Sequence, residues 1–535
     1  MLQRARANHP GLLVGFFLFG LIGLLPAPEG LSEQAWRTAA VTLLMASWWI
    51  SEAIPIYATA LLPILLFPLL GIASVGEATA PYANPVIYLF LGGFLLAAGM
   101  QRWSLHRRFA LSVIRVFGVK PRSVILGFMI ASAVLSMFVS NTATAIMMLP
   151  IAMSVFELVE GQSRSGRSGT GQSQAGHPQT EHSQAERRNF EIALVLSVAY
   201  GCNVGGIGTL IGTPPNALLA GFFQETYGVE IGFLDWMLVG MPIVLISLPV
   251  IFFLLTRVLF PIRMQELDGG MDYIRGELAQ MGPMSVQEKR VAMVFALAAL
   301  GWVTRPLLEE YVPGLSDAGI SVGAAVLLFI IPAGGDKRAG RGIFSGSVGV
   351  QSMGGVHIGH KKHKESEDAS SGASQTRLLH WRNTTQLPWG ILILFGGGLS
   401  MAAAIQSTGL AAWIGTSLSI FQNLPILLMV FLIVLMMIFL TELTSNTAST
   451  AAFLPVLAAL ALGTGADPIL FAVPAAIAAS CAFMLPVATP PNAIVYGTGR
   501  ITIAEMSKAG LWLNLLFSVW ITLASYVLLR WIFTG

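Results

Sequence analysis

The sequence predicts an all-α polytopic membrane protein, with about 11 transmembrane helices and two re-entrant hairpins arranged as two inverted repeats. Three observations carry this expectation. Of 535 residues, 55% are hydrophobic and only 11% are charged, against roughly 45–50% and about 25% in an ordinary soluble domain. Apolar runs of about 17–25 residues, long enough to cross roughly 30 Å of hydrocarbon as a helix, recur along the whole chain. Short polar motifs of the first half also return in the second half in a fixed register.

Nine runs read as ordinary spans: 11–27, 37–52, 55–72, 84–101, 236–259, 290–305, 316–332, 388–406 and 511–533. The first follows Arg4 and Arg6, but no small-residue cleavage pattern closes it, so it is read as a span and not as a signal peptide. Four stretches, 122–159, 190–223, 423–462 and 467–498, are too long for one helix, and each is interrupted near its middle by polar, Gly or Pro residues. Two low-complexity segments, 161–188 and 333–386, are expected to be mobile polar loops. A formal charge of +3 leaves no nucleic-acid footprint. Cys202 and Cys481 both fall inside apolar segments and read as small core residues, not as a disulfide or a metal cluster.

Orientation follows from where Lys and Arg fall. One topology places 27 of the 30 on the cytoplasmic side. It starts with the N-terminus in the cytoplasm, crosses about 11 times and ends with the C-terminus outside, in the inner (plasma) membrane. For the charges to fit, 122–159 must enter and leave on the cytoplasmic side, and 423–462 on the outer side. Each is then a re-entrant hairpin, and the two are of opposite orientation. Segments 190–223 and 467–498 cross once each, as broken helices.

The repeat is specific. Ser140-Asn141-Thr142-Ala143 recurs as Ser445-Asn446-Thr447-Ala448, and Gly92-Gly93 with Gln101 recurs as Gly397-Gly398 with Gln406, both at an offset of 305. Gly212-Thr213-Pro214-Pro215-Asn216-Ala217 returns as Ala488-Thr489-Pro490-Pro491-Asn492-Ala493 at an offset of 276, and segment 161–188 nearly accounts for the difference. The chain therefore divides into N-terminal helices 1–83, a first repeat 84–260, a connecting region 261–387 and a second repeat 388–535. Inverted repeats with broken helices near the bilayer midplane mark a secondary transporter, with its site at the repeat interface.

A break inside a membrane segment exposes backbone groups that hydrocarbon cannot satisfy, so it must be buried in protein or line an aqueous cavity. Ser, Asn and Thr supply neutral oxygens for a hard cation such as sodium, and donors for a carboxylate. The prolines stop a helix and restrict the residue before them, freeing carbonyls at Gly212 and Ala488. A helix restarting after each break aims its amides and positive dipole end at an anion. Helix capping alone explains one isolated Ser-Asn-Thr; it does not explain two copies of two motifs, each on a break and each in register. No Lys or Arg falls within either motif region. A bound dianion would then be compensated by sodium, amides and hydroxyls, and substrate and sodium would favour each other by linkage.

Glu442, three residues before Ser445, is a carboxylate deep in an apolar run, and its repeat partner is Met137. Its role is open between a structural partner and an aid to ion coupling. Glu52, beside Trp48 and Trp49, reads as interfacial or structural. His357, His360 and His363 leave metal binding in a loop as a weak alternative. No clustered nucleophile and base or metal constellation stands near the breaks, so no enzyme is expected.

The paired Ser-Asn-Thr tips, the paired Thr-Pro-Pro-Asn breaks and Trp-Trp-x-x-Glu-Ala-Ile-Pro at 48–55 resemble the divalent anion/sodium symporter family over nearly the whole chain. The resemblance implies an elevator-type carrier, usually a homodimer, in which both hairpins and both broken helices slide against a scaffold that includes 1–83. It implies a first sodium site at Ser136, Ser140, Asn141 and Gly212, and a second at Thr441, Thr444, Asn446 and Ala488. Substrate contacts carry over to Ser140, Asn141, Thr142, Thr213, Ser445, Asn446, Thr447, Thr489 and Pro490. The implied substrates are C4-dicarboxylates such as succinate, fumarate or malate, with co-transported sodium. A sodium-independent dicarboxylate exchanger, or a sulfate or citrate carrier of the same family, remains the alternative. A channel is a further one, which saturable, trans-stimulated flux would exclude.

Overall fold

The computed structural model describes residues 9–118, 120–165, 178–264, 270–334 and 377–533. Among these the chain is helical, and the sole sheet-like pairing is a single bridge between Pro332 and Arg377. Among the described residues seven helices are long and apolar enough to cross a membrane, which makes this a multi-pass membrane protein.

The chain opens with α1 (His9–Leu24) and α2 (Glu33–Ser51). Ser32 caps α2 by accepting the Ala35 amide, and the helix stops at Glu52 in the left-handed conformation, just ahead of Ile54-Pro55. The stretch 55–72, expected as one span, is two short helices, α3 (Ile56–Thr59) and α4 (Leu62–Leu69). Pro63 occupies the start of α4, where a missing amide proton costs nothing, and so favours a new helix over a continued one. After α5 (Val75–Thr79), α6 (Pro85–Arg102) is capped by Asn84.

Next comes α7 (Leu105–Phe117), an amphipathic helix between the expected segments 84–101 and 122–159. It is entered through Ser104 at φ 56°, and its counterpart in the second half is entered through Gly409 at φ 82°, 305 residues on. The same left-handed turn thus marks the same point of each repeat, without strain in the second because it is Gly.

The first long stretch is a helix pair, α8 (Pro121–Ser136) and α9 (Asn141–Ser165). The next is α10 (Pro178–Gly205), a 3₁₀ turn at Gly206–Gly208, and α11 (Pro214–Tyr227). Both ends of segment 161–188 are therefore helical where a polar loop was expected; 166–177 lies outside the described residues. Then follow α12 (Phe233–Phe253), extended by a π turn at Leu254–Leu259, α13 (Gly270–Met281), α14 (Val286–Leu308) and α15 (Asp317–Ile330). Of segment 333–386, residues 335–376, with His357, His360 and His363, lie outside the described residues. Residues 377–386 dock on α6, where Arg102 and Trp103 donate to the Leu378 carbonyl.

The second half runs α16 (Trp389–Ser407), α17 (Leu410–Ser417), α18 (Ile426–Thr441), α19 (Asn446–Gly463), α20 (Ile469–Ala479), α21 (Pro490–Tyr496) and α22 (Ile503–Phe533). Its two long stretches break at the same motif positions as the first.

Packing follows membrane rules, in which small residues let backbones approach because lipid supplies no hydrophobic drive between helices. Gly205 of α10 lies so close to Ala133 of α8 that a Cβ would overlap the neighbouring backbone. The apolar window of α10 is buried entirely inside the protein. By contrast, α14 exposes Met293, Leu297, Leu300, Val303 and Leu307 at helical spacing, a stripe suited to lipid and hostile to water.

Candidate functional site

In the first half, α8 and α9 meet at a tip ending in Ser140, whose hydroxyl accepts the Ala143 amide at 3.3 Å. The fully buried Ser136 hydroxyl shares its proton between the Cys202 carbonyl, at 2.8 Å, and Asn141 Oδ1. At the break between α10 and α11, Asn216 Nδ2 donates to the carbonyls of Gly206 at 3.0 Å and Thr209 at 2.8 Å. Trp236 Nε1 holds the Ile207 carbonyl at 2.8 Å. The Thr209 hydroxyl donates to the Met137 carbonyl and so ties the break to the hairpin tip.

This leaves Asn141 Oδ1 and the Gly212 carbonyl converging. A Cβ built on Gly206 would stand 3.0 Å from the first and 3.1 Å from the second, so a side chain there would crowd both oxygens. Ser136, Asn141 and Gly212 lie together at the break, and the Ser140 hydroxyl, which accepts the amide of its own helix cap, keeps a second lone pair.

In the second half, Asn492 Nδ2 donates to the carbonyls of Ala482 at 3.1 Å and Leu485 at 3.2 Å, the repeat counterparts of Gly206 and Thr209. Thr489 accepts the Asn492 amide at 3.3 Å, and Ser445 accepts that of Ala448 at 3.5 Å. The Thr441 hydroxyl bonds back to Met437 and Ile438, and that of Thr444 to Leu440 and Ser449. Among the described residues no hydrogen bond links Thr441, Thr444, Asn446 and Ala488. Asn446 Oδ1, however, is buried without a partner, and the Thr hydroxyls keep lone pairs to offer.

The two halves interlock: α9 packs on α21, and α11 packs on α19. Ser480 Oγ lies 3.5 Å from Thr213 Oγ1 across the repeats, and Tyr200 donates to the Phe483 carbonyl at 2.9 Å. Asn203 Nδ2 reaches Asn492 Oδ1 at 3.2 Å. Of the remaining expected contacts, Thr142 and Thr447 occupy the first turns of α9 and α19, and Pro490 opens α21.

Glu442 accepts the amides of Phe483, Met484 and Leu485 at 2.7, 2.8 and 2.9 Å, and Asn514 Nδ2 at 2.7 Å. Its carboxylate holds the second break to the hairpin, the task that the Thr209 hydroxyl performs at Met137 in the first half. Of the two readings left open for Glu442, the structure supports the structural one: it is a positioning residue. Sequence reasoning gave no role to Asn203, Asn216, Asn492, Asn514 and Tyr200. A polar side chain within an apolar run was the available signal, and Asn216 and Asn492 already stood in the repeated motif.

No Lys or Arg stands among these residues. Arg188 and Arg500 are engaged with Glu191 and Glu505 at the ends of α10 and α22 away from the breaks. Among the described residues no cluster of three His, Cys, Asp or Glu would hold a transition metal. Cys202 and Cys481 are buried and free. Neutral amide, hydroxyl and carbonyl oxygens suit a hard cation.

A family model described as the sodium:sulfate symporter transmembrane region matches residues 6–533. The sodium-dependent dicarboxylate transporter SdcS of Staphylococcus saprophyticus is 41% identical over 525 residues, covering 97% of this chain and 91% of the relative. The protein of the same name from Staphylococcus aureus is 39% identical, over 96% of this chain and 90% of the relative. Among solved structures, the YdaH transporter of Alcanivorax borkumensis aligns with a TM-score of 0.50 at 14% identity, over 92% of this chain and 98% of that one. MtrF of Neisseria gonorrhoeae aligns with a TM-score of 0.50 at 11% identity, over 98% and 97%. At such identities these two likenesses concern the fold alone.

Proposed function

Because the chain belongs to the sodium:sulfate symporter family, we propose that it is a secondary active carrier that couples inward movement of sodium to uptake of small dianions, C4-dicarboxylates such as succinate, fumarate or malate. The observation that carries this reading is the convergence of Asn141 Oδ1 and the Gly212 carbonyl at an unwound break, with Ser136 behind them and, among the described residues, no Lys or Arg hydrogen-bonded to them. A dianion cannot sit in such a place uncompensated. Sodium held by these oxygens supplies the positive charge, and the first turns of α9, α11, α19 and α21 supply amides. Substrate affinity then depends on sodium, and the reverse, by the same free energy.

In this reading Ser136, Ser140, Asn141 and Gly212 hold one sodium, and Thr441, Thr444, Asn446 and Ala488 a second. Thr142, Thr213, Ser445, Thr447, Thr489 and Pro490 complete the substrate contacts with Ser140, Asn141 and Asn446. The carrier works as a homodimer of elevator type in the plasma membrane, with its N-terminus cytoplasmic and its C-terminus outside. The interlocking of the two breaks supports a single site-bearing body.

The test is uptake of labelled succinate into proteoliposomes holding the purified protein, under an inward sodium gradient and again with potassium in place of sodium. Uptake only with sodium is the expected result. Exchange against preloaded succinate without net uptake in either cation would make it an exchanger, and silence throughout would point to another anion, sulfate first.

A further inference from the structure

Phe233, the first residue of α12, joins two groups of helices. α12 belongs with the site: it packs on the Gly206–Gly208 turn, on α8 and on α10, and its Trp236 grips the break at Ile207. α15 packs along α6 and α14. Across this boundary Asp317 Oδ2 of α15 accepts the Phe233 amide at 2.7 Å. The Phe233 ring stacks on Trp302 of α14 with centroids 4.5 Å apart, and Trp302 Nε1 donates to the Asp317 carbonyl at 3.1 Å. Arg305 Nη1 completes the joint, 2.5 Å from Glu230 Oε1 and 3.3 Å from Asp317 Oδ2. Glu230 and the Phe233 amide, three residues apart on the segment entering α12, are thus held by Asp317 and Arg305, which both sit on the α14–α15 pair.

The holding pair is not used to capacity. Asp317 Oδ1 and Arg305 Nε are buried and have no hydrogen-bond partner among the described residues, while Asp317 Oδ2 and Arg305 Nη1 each serve two groups. A carboxylate beside a guanidinium has a better arrangement, two parallel bonds. That arrangement becomes available when Glu230 and the Phe233 amide withdraw together. A cavity of about 250 Å³, lined by Glu230, Asp235, Trp302, Arg305, Glu309 and Asp317, opens beside the pair. The carboxylates of Glu230 and Glu309 are about half exposed there, so water reaches the joint. Parting it leaves Asp317 and Arg305 paired with each other and so strands no unpaired buried charge, the usual cost of breaking such a contact, which lets the joint open and close as a switch requires.

We propose that Asp317 and Arg305 form a latch that clasps the start of α12 in this conformation and releases it when the site-bearing helices move. The latch sets the rate of the conformational step and not the affinity for ligands. It rests on the carrier reading only in taking the ligands to drive that movement.

Hydrogen–deuterium exchange on the purified full-length protein, free of ligands, reads the latch directly in peptides covering 230–240. Glu230→Gln, a change on a half-exposed side chain that the fold tolerates, is expected to speed exchange there about three- to fivefold, the range a partly exposed ion pair supports, with peptides of α6 unchanged. In proteoliposomes the same variant is expected to change the maximal succinate uptake rate by a similar factor while the KM values for sodium and succinate stay within about twofold, the pattern of a step distinct from binding. Equal exchange in variant and wild type overturns the latch, and so does a shift of KM without faster exchange. The exchange comparison needs no substrate, so absence of sodium-dependent uptake in the wild type would sink the carrier reading and leave the latch to be judged on exchange alone.

Discussion

Asn216 and Asn492, 276 residues apart, make the same pair of hydrogen bonds: each side-chain amide donates to the two carbonyls freed by its own helix break, Gly206 and Thr209 in one case, Ala482 and Leu485 in the other. The breaks are thereby hydrogen-bonded without a regular ladder, and among the described residues the carbonyls of Gly212 and Ala488 accept no hydrogen bond. Asn492 Oδ1 also accepts a hydrogen bond from Asn203 Nδ2, whereas Asn216 Oδ1 has no partner among the described residues.

Asn492→Ala removes three hydrogen bonds, leaving the Leu485 carbonyl with the Ala488 amide alone and the Ala482 carbonyl with Asn203 Nδ2 alone, at 3.4 Å. Each bond lost costs about 0.5–1.5 kcal/mol net, so a fall in the thermal midpoint of the purified protein is expected, together with loss of uptake. An unchanged midpoint would show that the Asn492 bonds contribute nothing to the break.

Asn141→Ala and Asn446→Ala leave both breaks capped by Asn216 and Asn492, and are expected to give inserted, folded protein that lacks sodium-dependent uptake. Chromatography of the detergent-solubilised protein checks the fold, and uptake checks the site. Wild-type transport by either variant would remove that residue from ligand binding.

Glu442→Gln keeps the size of the side chain but replaces one acceptor oxygen with an amide group facing the Leu485 N–H. Two donors then meet, at a cost of about 1–3 kcal/mol. The second break loosens, and the sodium concentration for half-maximal uptake is expected to rise while the succinate KM at saturating sodium changes less. Equal shifts in both would argue for direct substrate contact instead.

His106, on α7, is held below the ordinary imidazole range chiefly by burial and also by the neighbouring Arg107, while its bond to the Met100 carbonyl pulls the other way. With the folded value depressed, the unfolded chain takes up the proton first as pH falls. Stability from this group is therefore intact above the unfolded value of about 6.5 and is lost as pH drops below it. Midpoints measured between pH 7.5 and 5 are expected to fall less steeply for His106→Gln than for the wild type, and parallel curves would sink this assignment.

Much of the architecture was legible because its signals are local. Apolar run length reports a span, and Pro214-Pro215 and Pro490-Pro491 report where a helix must stop and restart, whatever surrounds them. The offsets of 305 and 276 tied the halves together with no structure at all. Other features escaped the same reading. The helix α7 is amphipathic and carries Arg107 and Arg108, so its charge read as a loop; in the structure those arginines pair with Glu277 and Glu288, about 170 and 180 residues away. The stretch 55–72 looked like one span because hydropathy does not register that Pro63 favours a helix start.

By itself, then, the sequence determined that the protein is a multi-pass helical membrane protein, that its Ser-Asn-Thr and Thr-Pro-Pro-Asn motifs recur in both halves, and that a helix breaks at each of them. These depend on composition, periodicity and the backbone limits of proline. Only the tertiary structure decided who satisfies the freed backbone groups: Glu442 for the amides of 483–485, Asn492 for Ala482 and Leu485, Asp317 for the amide of Phe233. A hydrogen bond requires only a donor and an acceptor within about 3 Å, and in a membrane core every freed group must find one. The demand for a partner is written at the break, but its identity depends on which of several distant polar side chains the packing brings within reach.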